Sequence, residues 1–563
     1  MSKLEVMDFF CGAGGFSEGF RQEGFKIVRG IDSWLPAVQT HNLNFGLDDS
    51  PGNILDYETS IEAINNLPDV DVIIGSPPCV SFSSSNKSGK ADKSLGLKLI
   101  KSYLRVVTVK RYSPNSRLKA WLMENVPNSR HYLQDKYTFE ELGLEEWASS
   151  LPSPKRPQDT AIKVRQNGAV LIAADFGAPQ KRRRFVCGEV FTTGNFPNPK
   201  PTHQGSHITL GSVLEKMPSP KSDEMPNDIY HDPNYPELSI SQLDLADHFY
   251  DSGVYSSQWK HAQFMKQNHP FMGAMSFPEN LKAPCRTVMA TRSATTRESL
   301  ILKSEYTRTG DGEYRLPTIR EVSTFMSFPY TYRFTGGEAT KWKQIGNAVC
   351  PKLSSALARQ ILEDLGISIN DEKHKSFTLP SIEVDFENLN TFTEAEFDSP
   401  RQKVAGSKFR RHTFKKGNMT VALLNHDPEF GVGKWGVYMF FGTGSYSVQK
   451  VTDGIYESIR GTVSNYYPDF EAIVNERIIP LSASPEELQI RYEKQLNDKK
   501  MPDPGELVEK VGLLIEECEN VHRLIEVKSG IAGNKKSVPL SQLMSVVALQ
   551  MLLARTTLTP VLN

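Results

Sequence analysis

Cys79 follows directly on Pro77 and Pro78, at the end of the apolar run Val70-Asp71-Val72-Ile73-Ile74-Gly75. A thiol after two prolines sits on a stiff turn that presents it beyond a strand end. Such a residue can add to an electrophilic carbon as a thiolate. The plain alternative is a buried structural cysteine, the commoner fate of a single Cys. The Ser-, Lys- and Gly-rich stretch Ser83–Lys93 reads as an exposed loop and favours the nucleophile. Glu124, in Met123-Glu124-Asn125-Val126-Pro127, ends a second apolar run. A carboxylate there is a general acid, a helix cap or an arginine's partner. In Gln180-Lys181-Arg182-Arg183-Arg184 four basic residues stand together, as on a solvated face or a phosphate contact. An apolar strand-like run follows at once, so a period of two would turn alternate arginines, Arg182 and Arg184, toward one edge.

Two further segments have the form of a cofactor site. Leu4–Asp8 reads as a buried strand that runs into Phe9-Phe10-Cys11-Gly12-Ala13-Gly14-Gly15-Phe16. Glycines beyond a strand end let the backbone approach a ligand closely. Asp32, after the next strand-like run Lys26–Ile31, is placed to take ribose hydroxyls. By itself this pattern serves S-adenosylmethionine (SAM), a dinucleotide or a flavin equally. Gln344-Ile345-Gly346-Asn347-Ala348-Val349 is expected to open a late helix, whose N-terminus suits a carboxylate.

The elements that must position these residues alternate. Val70–Gly75, Ala120–Glu124 and Val170–Ala174 read as further strands, with helical patterning between, as in Gly96–Val107. The fold class expected is α/β, a Rossmann-like, mostly parallel sheet covered on both faces. Residues 1–188 with 300–365 form the expected catalytic domain. Residues 189–299 are rich in Pro, Asn, His and Ser and read as a small irregular inserted region. Residues 366–402 are polar and acidic, a linker, and 403–563 form an additional α+β domain. Six scattered cysteines without a CxxC pair indicate neither a zinc knuckle nor a disulfide framework, and no metal site is expected. No stretch approaches the ~18 apolar residues of a membrane span. With a net charge of -1, nucleic-acid binding has to come from a local basic surface.

Taken in order, these segments resemble the motif set of the cytosine-C5 DNA methyltransferases of bacterial restriction–modification type. Asp8–Phe16 resembles the family's SAM motif, Ser76-Pro77-Pro78-Cys79 its nucleophile motif and Glu124-Asn125-Val126 its general-acid motif. Gln180–Arg184 resembles its basic motif. Arg286–Thr291 and Pro317–Glu321 resemble the segments after the target recognition region, and Gln344–Val349 the closing cofactor motif. The resemblance spans about residues 1–365 and makes 189–299 the target recognition region. It implies that Phe10, Gly12, Gly14, Gly15, Asp32, Asn53, Ile54, Leu97 and Asn347 hold SAM. It implies that Cys79 is the nucleophile, with Glu124, Arg182 and Arg184 around the target base. Ser81, Ser83, Lys87 and Lys90 would meet the DNA. Three departures stand out: Asn53 where an acid is usual, Ser33 before Trp34, and Cys350 where a proline is usual.

The implied reaction fits these residue types. A thiolate adding at C6 of cytosine turns C5 into an enamine carbon able to take a methyl group. Glu124 would donate a proton to N3, which calls for a protonated carboxyl in a dry pocket. The target carbon is buried in duplex DNA, so the base must be flipped out, a strategy for which methyltransferases are a standard example. The expected partner is double-stranded DNA, with a cognate restriction or defence-system protein beside it. The chain is expected to act as a monomer in the cytoplasm, on the nucleoid, and on no membrane. The nearest rival is a tRNA cytosine-C5 methyltransferase. Residues 403–563 carry a basic–aromatic stretch, Lys408–Lys416, suited to a DNA backbone, and are expected to be an accessory binding domain. Leu524-Ile525-Glu526-Val527-Lys528 resembles half of a metal-dependent nuclease site, with Asp469 or Glu516 as the candidate partner acid.

Overall fold

The computed structural model describes residues 3–78, 82, 93–221, 229–250, 252–268, 273–305, 311–368, 383–385, 391–392, 411–416, 419–427, 431–441, 446–481, 485, 488, 502, 504–529 and 534–554. Cys79, Ser81, Ser83, Lys87 and Lys90 lie outside the described residues, as does the rest of the expected loop except Phe82 and Lys93. The chain divides into two compact units. One is Met1–Phe334 with Lys341–Pro380, the other Thr335–Thr340 with Ser381–Asn563.

The first unit begins β1 (Glu5–Phe9), α1 (Gly15–Gln22), β2 (Lys26–Ile31), α2 (Leu35–Phe45), α3 (Ile61–Asn65), β3 (Val72–Gly75), α4 (Lys93–Tyr112) and β4 (Ala120–Asn125). After a short hairpin, β5 (Lys136–Thr138) and β6 (Thr160–Lys163) about α5 (Glu145–Ser149), come β7 (Gly168–Ile172) and β8 (Arg183–Val190). The sheet order is β2-β1-β3-β4-β8-β7, parallel through β4 and antiparallel beyond it. The central strands are apolar at nearly every position because both faces are covered. Val6, Val72, Ile74, Leu122 and Val186 pack on one face with Phe16, Phe20 and Leu357. Met7, Phe9, Ile73, Trp121, Met123 and Phe185 pack on the other with Tyr103, Leu104 and Val107 of α4. The period of two thus feeds two separate cores from one set of strands.

The remaining elements are α6 (Leu210–Leu214), β9 (Ile229–His231), β10 (Ser239–Ser241), β11 (Gly253–Tyr255), α7 (Ser256–Gln267), β12 (Leu302–Lys303), β13 (Asp311–Arg315), α8 (Ile319–Phe325), α9 (Glu338–Asn347) and α10 (Pro351–Asp364). Both β11 and β12 pair with β13. The irregular region therefore runs on past the expected limit at 299. Strands of two to five residues, paired through their backbones, leave little pattern in a sequence. Its parts are also not separate: Leu210, Val213, Ile240 and Phe249 share a core with α8 and α10.

The second unit holds a five-stranded antiparallel sheet and a three-stranded sheet. Two strands come from the stretch expected to be linker. Glu383–Asp385 pairs in parallel with Leu524–Ser529, and Thr391–Phe392 pairs with Tyr446–Lys450. The helix Leu540–Ala554 is buried on nearly every side, as its unbroken apolar composition requires.

Candidate active site

The turn after β1 departs from ordinary backbone three times, with φ of 53° at Phe10, 53° at Gly12 and 82° at Gly14. Only the glycines adopt this region without strain. The turn is tied to the end of β2. Cys11 N–H donates to the Ile31 carbonyl (3.2 Å), Gly12 N–H to Asp32 Oδ2 (3.0 Å) and Trp34 N–H to Asp32 Oδ1 (2.8 Å). Burial raises the Asp32 carboxyl above the usual range, against these N–H donors. Each of its oxygens retains a lone pair for a further donor.

A cavity of about 320 Å³ opens beyond the strand ends. Phe10, Gly12, Gly15, Asp32, Asn53 and Ile54 line one half. Asn53 Oδ1 already accepts from Leu55 N–H at 3.0 Å, capping the turn that places Ile54 in the wall. Lys343, Gln344 and Asn347, from the last two turns of α9, line the rim.

The other half is made of charged side chains. Ser76, Pro77 and Pro78 leave the end of β3 here, beside Glu124 at the end of β4 and Arg184 at the start of β8. Glu124 is 4 % exposed. Its Oε2 accepts from Ser76 Oγ at 2.7 Å, and its Oε1 pairs with Arg184 Nε at 2.8 Å. Asn125 Nδ2 donates to the Pro77 carbonyl at 3.0 Å, pinning the Pro-Pro turn to β4. The proline pair is thus held in the same wall as the Glu124–Arg184 pair.

The structure corrects several expectations. Arg182 does not line the cavity. It is buried, and its guanidinium donates to the carbonyls of Val288 (3.2 Å) and Gly346 (2.9 Å). It stands just before β8, and the chain at 288 and 346 covers it. Gly14 is no part of the cavity floor. A Cβ there would lie 2.5 Å from the Tyr332 hydroxyl and 2.6 Å from the Phe45 ring, so its lack of a side chain serves packing beneath the turn. Leu97 is half-buried against the α4 core, and Leu99 lines the cavity in its place. Gln344–Asn347 close α9 and do not open a helix; α10 begins only at Pro351. Ser76, Trp34 and Lys343 carried no separate signal, since their types and positions gain meaning only from their neighbours in space.

Beneath the glycine turn lies a buried polar trio. Ser17 Oγ donates to Asp8 Oδ2 (2.7 Å) and sits 3.0 Å from His41 Nε2. Burial pushes the Asp8 carboxyl up to about 8 and His41 down to about 3, so both are held neutral near pH 7.

In the second unit Glu526 is buried on its strand, with Ser537 opposite it in register. Asp469 precedes the helix Phe470–Arg477, and Glu516 ends Pro504–Glu516, 3.8 Å from His522. Among the described residues no three His, Cys, Asp or Glu side chains come together as a metal site requires. Among them, too, no helix is long and apolar enough to cross a membrane.

The sheet, the glycine turn after β1 and the acid after β2 beside a strand-end cavity fit an α/β nucleotide-cofactor fold, and the family match makes it that of a methyltransferase. The model of the C-5 cytosine-specific DNA methylase family matches residues 4–363, and the chain belongs to that family. It is a DNA cytosine-C5 methyltransferase. Type II methyltransferase M.MthTI of Methanothermobacter thermautotrophicus is 28% identical over 372 residues, covering 64% of this chain and 98% of that protein. M.HgiDI of Herpetosiphon aurantiacus is 26% identical, covering 64% and 94%. M.AquIA of Picosynechococcus sp. is 32% identical over 214 residues, covering 36% and 78%. The family match ends at residue 363, before the main part of the second unit, Ser381–Asn563.

Proposed function

We propose that the chain methylates C5 of a cytosine flipped out of double-stranded DNA, through a covalent bond between Cys79 and C6. The observation that supports this reading is the Pro77–Pro78 turn, which ends one residue before Cys79 and is pinned to β4 in the wall that holds the buried Glu124–Arg184 pair. The cavity's other half fits SAM: side-chain-free positions at Gly12 and Gly15, an acid for ribose hydroxyls at Asp32, and apolar walls at Phe10 and Ile54. When bound, SAM supplies an electrophilic methyl carbon on a sulfonium.

The rest is the work of this chain's residues. Cys79 thiolate forms the S–C6 bond, and the displaced electron pair reaches N3, where Glu124 donates a proton. Arg184, on Glu124 Oε1, orients that carboxyl toward the base. The addition opens C5=C6 and leaves an enamine at C4=C5, whose C5 then takes the methyl group. N3 returns its proton to Glu124, a base removes the C5 proton, C5=C6 re-forms, and the Cys79–C6 bond breaks to return the thiolate. The loop around Ser81, Ser83, Lys87 and Lys90 contacts the phosphates that hold the opened duplex. The chain acts as a monomer, and the second unit is an accessory binding domain.

The test is transfer of labelled methyl from SAM to unmethylated duplex DNA and to tRNA, with bisulfite sequencing, for wild type and Cys79→Ala. Label at cytosine C5 of one short DNA motif, abolished by the substitution, is the expected result. Label on tRNA alone overturns the substrate, and transfer that survives Cys79→Ala overturns the covalent route.

A further inference from the structure

In the sequence Cys79 lies between two tethered residues. Before it, the Pro77 carbonyl accepts from Asn125 Nδ2 at 3.0 Å. After it, the Phe82 carbonyl accepts from Asn128 Nδ2 at 2.9 Å. The two tethered residues are five positions apart, and both donors come from the stretch that follows Glu124. Phe82 is fixed by its side chain as well. It is buried in the core beneath α4, and its ring centroid lies 5.4 Å from that of Tyr132, the planes 35° apart. Lys93, the first residue of α4, holds its ammonium 4.8 Å from the centroid of the same Tyr132 ring. An aromatic face attracts a cation, so Lys93 helps to fix the ring that Phe82 packs on. Asn128 and Tyr132 belong to one short 3₁₀ helix, Pro127–Tyr132. Its first turn is locked by Ser129, which is buried and donates to the Val126 carbonyl from both N–H (3.0 Å) and Oγ (2.8 Å).

A chain spans at most about 3.6 Å per residue, so tethers on both sides of so short a span limit where it can run. Tethers that start from one stretch set that span relative to Glu124, which stands just before the same stretch. Asn125 alone would hold only the side before Cys79. We propose that Asn128 and Tyr132 are positioning residues for the nucleophile: acting through Phe82, they set the Cys79 sulfur against C6 of the base while Glu124 faces N3. This rests on the reading of Cys79 as the nucleophile. Neither residue lines the cavity, so neither acts on the base or the cofactor directly. Attack at C6 is sensitive to such positioning, because a misplacement of about 1 Å costs on the order of a hundredfold in rate.

The experiment measures how fast the full chain, with SAM present, becomes bonded to duplex DNA in which 5-fluorocytosine replaces cytosine. Fluorine at C5 leaves no proton to remove after methyl transfer, so the Cys79–C6 bond persists and the complex is read on a denaturing gel. S-Adenosylhomocysteine affinity, by calorimetry, and urea unfolding are measured beside it. The variants are Asn128→Ala, at an exposed side chain outside the core, Tyr132→Leu, which keeps apolar bulk, and Tyr132→Phe, which keeps the ring. In Asn128→Ala and Tyr132→Leu the rate of adduct formation at saturating DNA is expected to fall roughly tenfold to a hundredfold. Cofactor affinity and the unfolding midpoint stay as in wild type, and Tyr132→Phe recovers most of the rate. An unchanged rate in Asn128→Ala or in Tyr132→Leu overturns the proposal. So does a rate that falls only in step with cofactor affinity or stability, or a Tyr132→Phe variant as slow as Tyr132→Leu. If wild type forms no adduct, or Cys79→Ala still forms one, the reading of Cys79 as the nucleophile fails instead and takes the proposal with it.

Discussion

The two halves of the cavity are built by different means. The half at β1 and β2 is made largely of backbone: a glycine turn and N–H groups that fix one acid, Asp32. The half at β3, β4 and β8 is made of side chains: Ser76, Glu124 and Arg184, which hold one another at 2.7 and 2.8 Å. A backbone half is set by which positions have no Cβ, and it suits a ligand held by shape. A side-chain half can move protons and charge, which the reaction at the base requires. Sensitivity to substitution should divide the same way.

The largest expected effect is at the acid. Glu124→Gln keeps the size and a hydrogen-bond donor but has no proton to give. Turnover should fall by roughly 10²–10⁴-fold, while S-adenosylhomocysteine affinity stays within about twofold. A comparable fall in cofactor affinity would erase the distinction between the halves. Gly15→Ala tests the opposite half, since the added Cβ overlaps the Val349 carbonyl oxygen. It should cost about 3 kcal/mol of stability in urea unfolding and weaken S-adenosylhomocysteine binding together with it. Retention of full affinity would show that the turn tolerates a side chain.

Arg182, just before β8, and Arg184, within it, sharpen the contrast. Arg182→Met leaves two buried carbonyls short of a donor and should cost about 2–3 kcal/mol of stability. Arg184→Met should cost less stability and far more turnover, because its partner is Glu124 and not the backbone. Chemical denaturation and turnover measured on both variants check this, and equal losses for the two would contradict it.

The smallest effect is one of pH. Asp8 titrates at about 8 in the folded chain and near 4 when unfolded, so the folded state binds the extra proton between those values. Its contribution is complete below about pH 4 and is lost as pH rises through about 8. His41, lowered to about 3, works in the other direction, adding stability as pH rises from about 3 to its ordinary value of 6.5. Between about 6.5 and 8 only the Asp8 slope remains, up to about 2 kcal/mol. Asp8→Asn should flatten the unfolding free energy over that window; an unchanged slope would place its origin elsewhere.

Much of this site was legible before any tertiary information. The Pro-Pro-Cys turn, the glycine cluster, Asp32 and Glu124 all stand at strand ends, and strand ends are marked by where an apolar run stops. The order of those runs was enough for the sheet and, through the resemblance of the motifs in sequence, for the family. The short pairings at 302–303, 311–315, 383–385 and 391–392 were not legible, because a few backbone hydrogen bonds impose no side-chain pattern.

The sequence by itself determined which chemistry is available: one presented thiol, one carboxyl and a run of arginines beside a glycine turn. Only the tertiary structure decided between Arg182 and Arg184. They stand two residues apart in the sequence, and a period of two cannot tell them apart. What separates them is residues more than 100 positions away, at 288 and 346, whose carbonyls close over one guanidinium and leave the other to the cavity. The same holds for Lys343, an ordinary lysine until α9 sets it over the Trp34 ring.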